Sequence, residues 1–248
     1  MKIKFSFNFI FLLYLIKSKC NNNNLRLLTN DEEYEFYGNF KDGKAEGKGA
    51  VKYKNGDKFE GNFKNGLRHG KGKYYYNNGN IYEGEFKEGR IEGIGIIMYK
   101  NGEKYEGEFR DNLRDGKGTY YYKNGDRYEG DWRKGKKEGK GIYYWKDGDK
   151  FQGYFDNDKK GEYGLYCYKN GEKYEGSLKE GERDGKGIYY WADGDRYEGE
   201  FKKGKRNGKG VYYWNDGERS MGDYIDDKEV GLHVTLSSSG HILENFYE

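Results

Sequence analysis

The chain contains no proline and only two cysteines in 248 residues. Without proline no backbone donor is missing, so every residue can enter a hydrogen-bonded ladder. Two cysteines cannot build a disulfide framework, and no Cys or His pair has metal-ligand spacing. The three histidines, His69, His233 and His241, are scattered. Aliphatic residues are scarce too: Leu, Ile, Val and Phe total 43, below the one-fifth of the chain that often marks disorder. Yet the net charge is only +3, and 28 Tyr with 4 Trp supply large apolar surfaces. Strong net charge with few aromatics is the usual basis of disorder, and this chain has neither. Its 41 glycines indicate a chain that folds with frequent turns.

What is present is periodic. An aromatic residue at position 1 recurs as Phe36, Phe59, Tyr82, Tyr105, Tyr128, Phe151, Tyr174 and Tyr197, every interval being 23 residues. Ser220 begins a ninth, degraded copy, and residues 220–248 read as that copy with a C-terminal cap. Glycine recurs at positions 3, 8, 12, 14 and 21, replaced by Asn112 and Asp158 at position 8 and by Glu162 at position 12. A short fixed period indicates a repeat array in place of ordinary globular domains.

Each unit reads as two strands, such as "YEGEF" (105–109) and "GKGTYYY" (116–122), joined by a glycine-containing loop of six residues. An Asn-Gly or Asp-Gly turn leads to the next unit. A two-residue turn at Asn101-Gly102 pairs Met98 with Tyr105; a three-residue loop with a left-handed Gly102 pairs Ile97 with Tyr105. Register decides which side chains share a face. Only the three-residue loop gathers positions 1, 5, 16 and 18 on one side with the glycines and sends Lys117, Asp131, Lys186 and Glu200 to the other. The expected fold is therefore all-β: an elongated, single-layer antiparallel meander of 23-residue hairpins, with Tyr105, Phe109, Tyr120 and Tyr122 facing one way and Glu106, Glu108 and Tyr121 the other.

The unit "YEGEFRDNLRDGKGTYYYKNGDR" resembles the MORN (membrane occupation and recognition nexus) repeat in its aromatics, glycines, turn and length, over residues 36–219. The resemblance implies an elongated β-meander acting as a scaffold or membrane-proximal adaptor. Some relatives carry such repeats ahead of lysine methyltransferase or phosphoinositide kinase domains, for which this chain leaves no room.

Residues 1–20, "MKIKFSFNFIFLLYLIKSKC", combine early lysines with an apolar run from Phe5 to Ile16. Twelve residues are short for a membrane span and fit a secretory leader. A hydrophobic anchor and a chance apolar extension are the alternatives. Residues 21–35 read as a polar linker.

Catalysis finds little support. "GLRHGKGK" at 66 has three residues between glycines where a phosphate loop has four, and Gly72 stands where Ser or Thr holds magnesium. "DNDKKGEYGLYC" at 156 puts Lys160 and Cys167 at calcium-ligand positions. No cofactor or metal is expected. Two surfaces suggest binding. The long hairpin loops are strongly basic, most of all in 133–140 and 202–209, making Lys134, Lys136, Lys137, Lys203, Lys205 and Arg206 candidates for anionic phospholipid; a merely solvated edge is the alternative. The aromatic face, represented by Tyr105, Phe109, Tyr120, Tyr122, Tyr128 and Trp132, is a candidate for protein binding or self-association; rings shielding one another are the alternative. Nucleic acid is disfavoured because no reader motif accompanies the charge. The reading is a non-enzymatic scaffold at a membrane or the cortical cytoskeleton, or else a secreted or lumenal binding protein using the aromatic face.

Overall fold

The computed structural model describes residues 26–28 and 33–248, which contain strands and turns and no α-helix. The leader expected over 1–20 lies outside the described residues. Within the stretch expected as a linker, residues 26–28 and 33–35 are strand.

The described residues divide into two compact units, one up to residue 115 and one of residues 116–248, with the division inside β9 (Leu113–Tyr121). In the first unit β1 (Arg26–Leu28), β2 (Glu33–Lys41), β3 (Lys44–Tyr53), β4 (Lys58–Lys64), β5 (Leu67–Tyr75), β6 (Ile81–Lys87), β7 (Arg90–Met98) and β8 (Lys104–Arg110) pair in chain order, always antiparallel. In the second, β9 is followed by β10 (Arg127–Arg133), β11 (Lys136–Tyr144), β12 (Lys150–Asp156), β13 (Lys159–Cys167), β14 (Lys173–Lys179), β15 (Glu182–Tyr190), β16 (Arg196–Lys202), β17 (Lys205–Tyr213), β18 (Arg219–Ile225), β19 (Lys228–Leu236) and β20 (Ile242–Tyr247). These also pair consecutively and antiparallel.

The connection between repeats is the three-residue loop. Ile97 pairs with Tyr105, Gly95 with Gly107 and Gly93 with Phe109. The Tyr99 N–H donates to the Glu103 carbonyl, and Gly102 takes φ +92°. A side chain rarely adopts that angle, which explains the glycine at position 21.

The hairpin within each repeat differs from expectation. In place of six residues the loop is a two-residue turn, as at Asp111-Asn112 (φ 49° and 67°) and Lys134-Gly135 (φ 48° and 84°). Both central residues are left-handed, matching the right-handed strand twist. The remaining residues of the supposed loop belong to the long strand. A bulge takes up the slack: Gly130 faces Gly141, whereas Trp132 already faces Lys137. Asn112 and Asp158 replace the turn glycine, and around Asp158 the register is kept. Their Oδ1 atoms accept the N–H groups of Ile91 and Lys137, one repeat earlier, at 2.9 Å. Glu162 likewise leaves the pairing of Gly153 with Gly164 and of Phe155 with Lys160 in place.

A single layer needs a core made by its own side chains. Phe59, Tyr82, Tyr105, Tyr128, Phe151, Tyr174 and Tyr197 are fully buried, and the rings of Phe59, Tyr82, Tyr128, Phe151, Tyr174 and Tyr197 lie across the paired glycines of positions 3 and 14. A Cβ on Gly84 would sit 2.6 Å from Gly95 Cα and 2.7 Å from Tyr82 Cζ, so no other residue fits beneath the ring. The tyrosine hydroxyls donate to the carbonyl at position 4, Tyr128 to Asp131 at 3.0 Å and Tyr174 to Ser177 at 2.7 Å. Position-5 rings then pack edge-on against position-1 rings of their own and the preceding repeat. Phe86 is 5.2 Å from Tyr82 and 4.9 Å from Phe59. Such contacts are worth about 0.5–1.5 kcal/mol each beyond the area they bury.

Candidate binding surfaces

Five of the six residues expected to contact a protein partner are buried: Tyr105, Phe109, Tyr120, Tyr128 and Trp132. Tyr122 is half-buried. The accessible part of this face is position 18 together with the half-buried rings of position 16 beyond Tyr120. In the second unit the position-18 rings link successive hairpins through position 16: Tyr122 lies 5.6 Å from Tyr143, Trp145 6.0 Å from Tyr166, Tyr168 6.1 Å from Tyr189 and Trp191 5.0 Å from Tyr212.

Position 10 adds a row of cations over these rings, a feature the sequence reading placed in loops. Arg68 lies 4.9 Å from the Tyr74 ring centre and Arg183 4.8 Å from that of Tyr189. Lys160 sits between Trp145 (4.4 Å), Tyr166 (4.9 Å) and Phe151 (5.1 Å). Burial, together with the charge of Lys137, presses the Lys160 amine down to about 8. The signal was present in the sequence, since basic residues recur at 68, 114, 137, 160, 183 and 206. The two-residue turn is what moves them onto the strand.

That shift separates the candidate lipid-binding residues into two sets. Lys134 and Lys203 occupy the first turn position, and Lys136 and Lys205 follow the turns; all four are exposed. Lys136 Nζ donates to Asn157 Oδ1 at 3.0 Å, and Lys205 stands 3.7 Å from Asp226. Lys137 and Arg206 instead cover rings. Lys137 lies within 5.9 Å of the ring centres of Tyr122, Tyr128, Tyr143 and Phe155. Arg206 lies 5.0 Å from that of Tyr224 and donates to the Asp227 carbonyl at 2.7 Å.

The loop opposite these turns is held by carboxylates at position 22. Asp126 accepts the Tyr143 hydroxyl at 2.7 Å and the Lys146 N–H at 2.9 Å. Asp57 does the same with Tyr74 and Asn77. Burial pushes both carboxyls up, but the hydrogen bonds outweigh it and leave them below the usual carboxylate range. Glu172 is lowered chiefly by the Tyr189 hydroxyl.

The opposite face carries cross-strand ion pairs such as Lys117 with Asp131 and Lys209 with Asp223. It also carries an apolar row at position 15, including Ile96, Ile142, Leu165, Ile188 and Val211, which the sequence reading did not single out. In each unit this face forms an open trough. That of the first unit encloses about 910 Å³ beside Lys71, Glu83, Glu85, Ile94 and Ile96. Among the described residues no group of three His, Cys, Asp or Glu could hold a metal ion. No helix among them is long and apolar enough to cross a membrane.

The ninth repeat, read as degraded, is a ring exchange. Ser220 fills position 1 with a small side chain, and His233 takes the place of the position-14 glycine. The imidazole is fully buried and lies over Gly222 from the other strand. Its Nε2 is 2.9 Å from the Asp223 carbonyl, the acceptor that position-1 tyrosines use elsewhere. Its Nδ1 is 3.3 Å from Ser220 Oγ.

The sequence profile of the MORN repeat matches eight consecutive segments: 36–58, 59–81, 82–104, 105–127, 128–150, 151–173, 174–196 and 197–219. Among curated proteins no sequence matches. Solved structures with a similar chain path include the TCP10 domain of Danio rerio CPAP in complex with a peptide of STIL. It is 12% identical, with 87% of this chain and all of that chain covered and a TM-score of 0.46. The Drosophila melanogaster SAS-4 TCP domain, bound to a proline-rich motif of Ana2, is 13% identical. There the cover is 72% and 85%, with a TM-score of 0.32. Virginiamycin B lyase from Staphylococcus aureus is 12% identical, with 87% and 74% covered and a TM-score of 0.16.

Proposed function

Because the chain belongs to the MORN repeat family across residues 36–219, we propose that it is a non-catalytic scaffold that binds protein partners along its sheet faces. One observation carries this reading. In the second unit the half-buried rings of Tyr122, Trp145 and Trp191 lie within 6 Å of the position-10 cations Lys137, Lys160 and Arg206, and Tyr168 and Trp214 continue the row, so successive hairpins offer similar chemistry. Hairpins of paired strands repeat about every 10 Å, and an array of equivalent weak contacts gains avidity that no single one has. The same row is the place for self-association. The test is native co-purification of the full chain against a Trp145→Ser, Trp191→Ser, Trp214→Ser variant. A protein partner retained by the first and lost by the second supports the reading. A full chain that elutes alone, with no partner above a tag-only control, refutes it.

Anionic membrane binding is a second reading, favoured by the exposed Lys134, Lys136, Lys203 and Lys205 at the turns of the second unit. Each basic residue close to an anionic surface contributes roughly 1 kcal/mol. Replacing these four by Gln in the full chain should weaken sedimentation with phosphatidylserine vesicles and flatten its salt dependence. The leader is common to both proteins, so the difference reports the turns alone. Unchanged sedimentation would remove the turns from the account. The mature N-terminus, read by mass spectrometry, decides between an adaptor inside the cell and a secreted or lumenal protein.

A further inference from the structure

One strand of the first unit departs from the pattern of the outward face. Position 13 is Lys48, Lys71, Lys117, Lys140, Lys186 or Lys209 in six repeats, and in the second unit it is also apolar at Tyr163 and Leu232. On β7 the outward residues are Ile94, Ile96 and Met98, exposed at 67%, 37% and 37%. Ile81, beside Met98 on β6, replaces the usual basic residue of position 23. Single exposed apolar side chains are ordinary on a protein surface; a contiguous row is the mark of an interaction site.

Glutamates border this row on both sides. Ile96 pairs with Glu83 on β6 and with Glu106 on β8, and Ile94 pairs with Glu108 on β8. Glu85, on β6, lies beside Ile94 in the wall of the same trough. Lys73 stands 3.3 Å from Glu83 and Lys104 2.7 Å from Glu106, at the margins of the patch. The centre of the patch, where six other repeats place a lysine, is an isoleucine.

We infer that the β7 face binds a basic amphipathic helix of a partner protein, its apolar stripe on Ile94, Ile96 and Met98 and its flanking Lys or Arg residues on the glutamates. This names a partner class for the scaffold reading and rests on it. The dimensions agree. Alternate side chains along a strand are about 7 Å apart, and the neighbouring strands lie about 4.8 Å to either side. Residues three and four apart on a helix are about 5–6 Å apart, and such a helix presents an apolar stripe flanked by polar positions. An anionic membrane would meet the glutamates with like charge. A second copy set β7 against β7 would bring the acidic borders together, and like-charge juxtaposition opposes docking.

The test is fluorescence anisotropy with the full chain and three synthetic 18-residue peptides. The first has a leucine stripe flanked by lysines, the second has glutamate for lysine, and the third has the first composition with its leucines scattered. The protein's net charge of +3 gives no general attraction for a cationic peptide, so binding reports the local patch. The first peptide should bind at least tenfold tighter than either control. Ile94→Lys with Ile96→Thr, which installs the residues found at 117 and 119, should lower its affinity at least tenfold while circular dichroism and thermal midpoint stay unchanged. Glu106→Gln with Glu108→Gln should weaken it several-fold and flatten its salt dependence. Equal binding of all three peptides, or undiminished binding by the isoleucine variant, overturns the inference. A chain that co-purifies a partner yet ignores the first peptide also overturns it, and leaves the scaffold reading standing.

Discussion

Replacing His233 by Gly should be rescued by replacing Ser220 by Tyr, although each change alone is harmful. The slot above Gly222 holds one ring, supplied by His233, which packs edge-on at 5.2 Å against both Tyr224 and Tyr247. Truncating a buried ring costs about 3–5 kcal/mol; because imidazole is smaller than phenyl, His233→Gly should cost about 3. Ser220→Tyr alone puts two rings in one slot, and overpacking costs about 1–3 kcal/mol, here taken as about 2. The double variant recreates the arrangement at Tyr197 and Gly210, whose hydroxyl donates to the position-4 carbonyl. Volume-conserving exchanges cost less than about 1.5 kcal/mol, so it should lie within about 1 of the parent. Additive behaviour would give a loss of about 5 kcal/mol, and the cycle should instead show about 4 of favourable coupling. Repeat arrays can open locally, so urea unfolding should be read alongside hydrogen exchange in β18–β20. A double variant no better than the sum of its parts would refute the ring-exchange argument.

Gly84→Ala should cost more than about 2 kcal/mol, because its Cβ meets backbone as well as the Tyr82 ring and buried overpacking costs about 1–3 kcal/mol. At Gly43 a Cβ meets nothing within 4 Å, so alanine there should cost only the left-handed backbone term of about 1–2 kcal/mol; similar midpoints for the two variants would argue against the ring-over-glycine core. Lys134→Asn should stabilise by about 0.5–1 kcal/mol, since asparagine tolerates the left-handed turn better than lysine, and thermal unfolding should show a raised midpoint. Burial raises the Tyr166, Tyr174 and Tyr197 phenols to about 12. Their neutral forms are favoured by the fold, so that contribution should be complete below pH 10 and disappear as pH rises towards 12, followed by tyrosinate absorbance and circular dichroism. At the acid end Asp57, Asp126 and Glu172 are lowered; their contribution should be present above about pH 4 and be lost as pH falls below it, with Asp126→Asn reducing the slope.

The register could be read in advance because a single choice, two loop residues or three, moves every side chain between faces. The glycines of positions 3 and 14 marked which face needed room. The hairpin turn was harder to read. Asn101-Gly102 advertises its conformation, whereas Lys134-Gly135 and Asp111-Asn112 lie in a charged stretch with a further glycine four residues on. That second glycine, Gly139 at φ +70°, belongs to a bulge and not to a loop. Mistaking the bulge for loop hid the cations of position 10, since Lys137 and Arg206 then counted as edge charges. In the ninth repeat Ser220 and His233 were each visible as departures. Only the pairing across the strands shows that one departure compensates the other.

The hydrogen bonds that leave a hairpin are all short in sequence. The position-8 N–H reaches the position-10 carbonyl 21 residues earlier, as Gly89 does to Arg68 and Gly204 to Arg183. The position-22 carboxylate reaches forward 17 and 20 residues, as Asp195 does to Tyr212 and Asn215. Each of these bonds therefore ends in the adjacent repeat. A block of 23 residues removed from the array, wherever the cut begins, brings equivalent donors and acceptors back into contact, as deleting one link from a chain leaves two matching ends. Removing 22 or 24 leaves every downstream bond out of phase. Length is thus a quantity this architecture can change only in whole steps, and each step alters the number of equivalent hairpins by one.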